Sequence, residues 1–426
     1  MSEAGSPTFL PYGRHQVDDD DVAAVVEVLR GGGELTGGPR VAGFEAALST
    51  LTGVPGVSAC ASGTAALQLS YAAAGLGPGD EVIVPAITFS ATASAAYAVG
   101  ASVRFADVDA RTGLMDALAT AALIGPRTRA LTVVHLAGQP AQLDAFRALA
   151  DRHGLVLVED ACHALGATWA GQRVPSGLAD FAVCSFHPVK HVAAGEGGAV
   201  FTRDLARKRQ VDKLRNHGVE RDPARLGTPS PGPWYYEVQE QGWNFRLSDV
   251  ACALATSQLR KLPRFLAERR ALITTYQALI ADRFGTGAAA LVAPPVELPG
   301  RTSAYHLCAL RVDFARAGVD RGTVMTELRA RGIGTQVHYM PLPMHPYHRR
   351  RLGADADRPL PGAAEYYEHT LSVPLYSGLT AADATRVVDA LVTVLGQRPS
   401  RSLPSVAPSG RNLDAADLAA QSPPRA

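Results

Sequence analysis

The sequence predicts an α/β fold, a mainly parallel seven-stranded sheet between helices, with a smaller C-terminal α/β domain. Three observations predict it. Between residues 57 and 202, seven short apolar runs alternate with helical patterns. Each run is apolar at nearly every position rather than at every second one, the mark of strands covered on both faces. Strand and helix patterns alternate again from about 285 to 396, which predicts the smaller domain.

Residues 1–20 are a polar lead-in, and DDDDVAAVVEVLR (18–30) predicts a helix with acids at its start, where the helix dipole favours them. GGGELTGG (31–38) is a glycine-rich connection, followed by a helix from about Val41 to Leu51. The expected strands are VSACA (57–61), EVIVP (81–85), VRFAD (103–107), ALTVVHL (130–136), GLVLVED (154–160), FAVCSF (181–186) and GAVFT (198–202). AQLDAFRALADRHG (141–154) typifies the intervening helices, with a glycine as its stop. Residues 207–245 read as loop-rich, with GTPSPGPW (227–234) as an exposed excursion. A helix over about 248–261 leads, near Pro263, into an amphipathic segment at 264–284. The chain thus divides into a lead-in (1–20), a large domain (21–260), a small domain (261–396) and a Pro/Ser/Ala-rich tail (397–426) expected to be disordered.

Basic and acidic residues number 41 and 40, a formal charge of +1 that offers no general attraction to nucleic acid or an anionic membrane. The five cysteines are scattered without a CxxC pair, so neither a disulfide framework nor a metal site is expected. MSEAGSPTFL lacks the basic start and apolar run of a signal peptide, and no apolar stretch approaches the roughly 20 residues that span a bilayer. The expected location is cytoplasmic.

Four features fall at strand ends or in an adjoining loop. In CASGTAALQL (60–69) a strand turns through Ser62, Gly63 and Thr64 into a helix, whose free N–H groups make a natural phosphate seat. The same residues also describe an ordinary helix cap. VEDACHALG (158–166) ends an apolar strand in Asp160, and a carboxylate buried there needs a cation or several donors. A capping aspartate would look alike. SFHPVK (185–190) delivers Lys190 by a short turn after a strand, just before the flexible AAGEGGAVF (193–201), an unusual place for a solvated surface charge. In QGWNFRLSD (241–249), Asn244 can donate to a phosphate and Arg246 can clamp a phosphate or carboxylate, while Trp243 and Phe245 also suit a loop that simply fills core.

From about residue 11 to 395 the chain resembles the sugar aminotransferases of the DegT/StrS family, fold-type I enzymes that use pyridoxal 5'-phosphate. The resemblance rests on PYGR, ELTGGPRVAGFE, ASGTAAL, DEVIVPAITFSATA, VHLAGQP, VEDACHALGA, SFHPVKHVAAGEGGAV, RNHG, GWNFRLSD and GIGTQVHYMP, in order and spacing. It implies that Lys190 is the covalent cofactor lysine and that Asp160 pairs with the pyridine nitrogen. Ser62, Gly63, Thr64 and Ser185 match phosphate contacts, and Phe89 matches the aromatic that stacks on the cofactor ring. By periodicity alone Phe89 reads as core. His163 stands where relatives often have glutamine bonded to the cofactor's phenolic oxygen. Asn244 matches a residue that reaches the phosphate in a neighbouring subunit, which implies a homodimer with shared sites.

A branch of that family carries histidine in place of the lysine and removes oxygen instead of adding nitrogen. Here the histidine comes one residue later, at His191, so Lys190 favours transamination. SFHPVK, RNHG, PWYYE (233–237), the 219–235 insertion and VHYMPLPMHPYH (337–348) most resemble the PseC-type enzymes of pseudaminic acid biosynthesis. Those act on a UDP-linked 4-keto-6-deoxy N-acetylated hexose, with glutamate as usual donor. Tyr12, Arg14, His187, His217, Arg246, His338 and Tyr339 are candidate contacts for the nucleotide-sugar and amino-acid substrates, and packing or surface positions account for each equally well. Ala86 and Ile87, and Trp243-Asn244-Phe245, depart from the common pattern. Rival expectations are a dehydrase or lyase of the same family and a non-catalytic regulatory protein on the same fold.

Overall fold

Strands buried on both faces build the central sheet of the computed structural model, which describes residues 8–396. The tail at 397–426, expected to be disordered, lies outside the described residues. The seven strands are β1 (Gly56–Cys60), β2 (Glu81–Pro85), β3 (Ser102–Ala106), β4 (Thr128–Val134), β5 (Val156–Asp160), β6 (Phe181–Ser185) and β7 (Gly198–Thr202). Each overlaps its expected run. Their spatial order is β1-β7-β6-β5-β4-β2-β3. The five strands from β6 to β3 pair in parallel, whereas β7 pairs antiparallel with both β6 and β1. Because β5 and β6 run parallel with Asp160 opposite Val183, the chain following each strand emerges at the same edge. In such sheets that edge is where ligands bind.

Helices cover both faces. α1 (Asp19–Arg30) is capped by Asp18, whose carboxylate accepts from the Asp21 N–H. α2 (Pro39–Thr52) buries Phe44 and Leu48, and α3 (Gly63–Ala73) and α4 (Ala91–Ala98) are alanine-rich and largely buried. α5 (Leu143–His153) ends at Gly154 with φ of 63°, a left-handed stop that only glycine adopts freely.

Two elements differ from the sequence expectation. A helix, α6 (Leu205–Leu214), runs into the stretch read as loop-rich. Its charged sequence hides the pattern, but Asp204 accepts from the Ala206 and Arg207 N–H groups, and Val211 and Leu214 turn inward. The two segments expected on either side of Pro263 are one: α7 (Asp249–Phe284) is a single 36-residue helix with Pro263 inside it. Proline forfeits one backbone bond, yet Leu259, Leu262, Phe265 and Leu266 are buried on both sides of it, and that packing carries the helix through.

α7 also joins two cores. Cys252, Leu259, Leu262 and Leu266 pack with the sheet. Further along, Ile273, Tyr276 and Ile280 pack with a smaller antiparallel layer of β8 (Val292–Ala293), β9 (Cys308–Val312) and β10 (Thr370–Val373). That layer is covered by α8 (Arg321–Ala330) and α9 (Ala381–Gly396). We propose that the boundary between the larger and smaller units falls within α7. No helix among the described residues is long and apolar enough to cross a membrane.

Candidate active site

A cavity of about 860 Å³ opens where β1, β5 and β6 end. Of the sixteen residues singled out from the sequence, twelve line it: Tyr12, Ser62, Gly63, Thr64, Phe89, Asp160, His163, Ser185, His187, Lys190, His338 and Tyr339.

The seat at α3 follows from local geometry. Ser62 Oγ accepts the Ala65 N–H at 3.1 Å, which fixes the first turn and leaves the Gly63 and Thr64 N–H groups without helical acceptors. Glycine is required at 63, because an added Cβ would stand 2.9 Å from Ser185 Cβ and 3.3 Å from Cys162 Sγ. The end of β6 is thus pressed against the start of α3, bringing the Ser62, Thr64 and Ser185 hydroxyls around one helix N-terminus. That arrangement suits an anion.

Asp160, only 6% exposed, closes β5 at the cavity wall. Its Oδ1 accepts from the Cys162 N–H at 3.1 Å and its Oδ2 from the Thr92 hydroxyl at 3.2 Å. Among the described residues no cation pairs with it within 4 Å, so a buried carboxylate presents its remaining lone pairs to the cavity. Lys190 arrives by a tight turn in which its N–H donates to the His187 carbonyl at 2.8 Å. Loss of surrounding water lowers its pKa, against the opposing fields of Cys162, Asp160 and Cys184. A depressed lysine spends more time as the free amine, the form that attacks and takes up protons.

Imidazoles crowd the same wall. His163 is buried 6.3 Å from the Tyr339 ring, and its Nε2 lies 3.4 Å from the Tyr339 hydroxyl. Burial, then the fields of Lys190, His338 and His191, hold His163 well below the usual histidine range. Burial and Lys190 bring His338 down to about 3. The Val189 N–H donates to His187 Nδ1 at 3.3 Å, which leaves the His187 Nε2–H as donor in the neutral ring. Phe89 stands 57% exposed, 6.2 Å from the Tyr339 ring.

Four candidates lie outside the cavity of this chain. Arg14 borders a small recess on the far side of Lys190. His217, Asn244 and Arg246 sit on a segment tied to itself: Asn216 and Asn244 form a backbone bridge, and Arg246 Nη1 donates to Asn216 Oδ1 at 2.6 Å. Conversely, Thr88, Thr92, Glu196, His306 and Gln336 line the cavity and escaped the sequence reading. Thr88 and Thr92 carried a usable signal, two hydroxyls one helical turn apart beside Phe89.

The DegT/DnrJ/EryC1/StrS aminotransferase family model matches residues 15–392. The chain belongs to that family. It is 37% identical over 385 residues to the spore coat polysaccharide biosynthesis protein SpsC of Bacillus subtilis, covering 90% of this chain and 96% of that protein. The solved structure of Helicobacter pylori PseC, an aminotransferase involved in the biosynthesis of pseudaminic acid, matches with a TM-score of 0.82 at 28% identity, covering 91% of this chain and all of that one. The pyridoxal-phosphate form of the sugar aminotransferase Spr1654 from Streptococcus pneumoniae matches with a TM-score of 0.82 at 27% identity, over 92% of this chain and all of that one. The protein is a pyridoxal-phosphate-dependent sugar aminotransferase.

The residues present fit that cofactor. An anion seat, a buried carboxylate without a cation, and a lysine of lowered pKa border one cavity. If the aminotransferase seats the phosphate at α3, Gly63→Ala will push Ser185 aside. Affinity of the apoprotein for pyridoxal phosphate is then expected to fall about tenfold, as overpacking commonly costs. Fluorescence titration measures this, and unchanged affinity would place the phosphate elsewhere.

Proposed function

We propose that the aminotransferase moves an amino group from glutamate to the keto group of a UDP-linked 4-keto-6-deoxy N-acetylated hexose. The observation that carries the chemistry is the shared cavity of Lys190 and Asp160, with lysine at the position where a deoxygenating relative has histidine. The likeness to PseC supports the choice of sugar. When bound, pyridoxal phosphate supplies the aldehyde that carries nitrogen and a ring that withdraws electrons from the reacting carbon.

The chain's own groups do the rest. Lys190 Nζ holds the cofactor and then moves the proton at the substrate carbon, acting as base and acid in turn. Asp160 would hold the positive charge of the cofactor's ring. Ser62, Thr64, Ser185 and the α3 N-terminus would hold its phosphate, and Phe89 would meet its ring. His163 would bond its phenolic oxygen. It remains neutral, and burial keeps the Tyr339 hydroxyl protonated. Tyr12, His187, His338 and Tyr339 form the wall that meets the substrates.

The reading includes a homodimer with shared sites. The cavity must receive a phosphate, a nucleotide diphosphate and a dicarboxylate, yet among the described residues Lys190 is the one Lys or Arg on its lining. Asn244 and Arg246 lie away from it in their own chain, which supports a role for them in a neighbour's site. Exposed Trp234, Tyr236 and Val238 on the adjoining segment, at 71%, 47% and 65%, give a second copy an apolar surface to cover. Arg14 and His217 remain proposed contacts on the same terms.

The test supplies purified enzyme with glutamate and the UDP-4-keto sugar and follows products by mass spectrometry. Glutamate-dependent formation of the UDP-amino sugar is expected. A preference for another nucleotide or donor would overturn that part of the assignment, and ammonia release with a deoxygenated sugar would overturn the reaction.

A further inference from the structure

Thr92 occupies an unusual position in the aminotransferase. It is wholly buried, in the first turn of α4, and its side chain touches the catalytic carboxylate proposed above rather than the apolar core around it. A buried hydroxyl in an alanine-rich helix normally returns its proton to the carbonyl four residues back. The Thr92 hydroxyl instead reaches Asp160 Oδ2 at 3.2 Å.

Counting protons fixes the polarity of everything attached. A carboxylate only accepts, so the single Thr92 hydroxyl proton points at Asp160. Thr92 Oγ1 must therefore accept from the Thr88 hydroxyl, 2.9 Å away. A second chain meets the same residue. The Tyr71 hydroxyl lies 3.1 Å from the Thr92 carbonyl, which can only accept, so Tyr71 donates there. Its oxygen then accepts from Thr132, at 2.8 Å. Burial raises the Tyr71 pKa, so its proton stays in place. All four hydroxyl residues are at most 1% exposed.

Side chains from β4, α3, α4 and the turn after β2 thus converge on one end of β5. With Cys162 N–H on Oδ1 and Thr92 on Oδ2, both carboxylate oxygens are tied to protein donors, and the plane of the group is set. The free lone pairs face the cavity. A donor network at this depth, with no unpaired member, rigidifies what it holds.

We infer that Thr92, oriented by Thr88 and by the Tyr71–Thr132 pair, is a positioning residue that aims Asp160 at the cofactor's ring nitrogen. This rests on the reading that Asp160 faces that nitrogen. The experiment titrates the apoenzyme with pyridoxal phosphate and with its deaza analogue, which has carbon in place of the ring nitrogen. Wild type should prefer pyridoxal phosphate. Thr92→Val, nearly isosteric, should weaken pyridoxal phosphate about tenfold, the worth of one hydrogen bond to a charged group. The deaza analogue should bind Thr92→Val as it binds wild type, and Thr92→Ser should restore the preference.

Equal weakening of both ligands would make Thr92 a packing residue and overturn the inference, as would no weakening at all. Should Thr92→Val melt early, Thr88→Val tests the same chain one bond further out, with a smaller loss expected for pyridoxal phosphate alone. Wild type showing no preference between the two ligands would instead overturn the placement of Asp160, and the inference with it.

Discussion

Lys190→Ala is expected to lower kcat for amino transfer by about 10³-fold or more, because on the proposed mechanism it removes both the covalent anchor and the group that moves the proton. The cofactor should still bind through its phosphate, so a purified variant retains pyridoxal phosphate that dialysis removes, while reduction with borohydride leaves no label on the polypeptide. Full activity in this variant would end the proposed mechanism.

The same lysine predicts a pH effect on stability. The folded state holds the amine below its ordinary value, so between the folded and unfolded pKa values the unfolded chain binds more protons. Burial of this cation is then a full penalty below the folded value, relieved as pH rises toward the unfolded value of about 10.4. The Lys190→Met apoprotein should therefore melt above wild-type apoprotein at pH 7, with the gap closing as pH approaches 10. A variant that melts lower at pH 7 would contradict the sign.

Asp160→Asn should cost roughly 10²–10³-fold in kcat, the order found when one preorganised electrostatic partner of a reacting group is lost. Asparagine keeps the shape and can still accept from Cys162 N–H, so the fold and the phosphate seat should survive. What disappears is the negative charge proposed to face the cofactor's ring nitrogen. The signature is a fall in kcat with little change in the KM for the amino donor. A rise in KM alone would assign Asp160 to substrate binding instead.

Much of this architecture is legible because strand periodicity and burial coincide. The strands at 156–160 and 181–185 are apolar until their last residues, so Asp160 and the turn to Lys190 stand out as polar groups where ligands gather. Phe89 shows the opposite case: apolar neighbours make it look like core, yet it is mostly exposed. Thr88 and Thr92 carried a spacing signal, but a threonine in an apolar run looks the same whether it packs by its methyl or bonds by its hydroxyl. His306 could not be found at all. It comes from the lead into β9, far along the chain, and its approach to His163, with ring centres 4.3 Å apart, is a product of tertiary folding. At Pro263 the local cost is visible in the sequence and the packing that outweighs it is not.

The unbroken α7 limits how this enzyme can vary. A straight helix turns about 100° for each residue added. One inserted or deleted residue between Leu266 and Leu272 would swing Ile273, Tyr276 and Ile280 away from β9 and β10 while the other end stayed on the sheet. The spacing between the two cores is therefore locked in register, like gears on a common shaft, and length changes among relatives should collect in surface stretches such as 219–238.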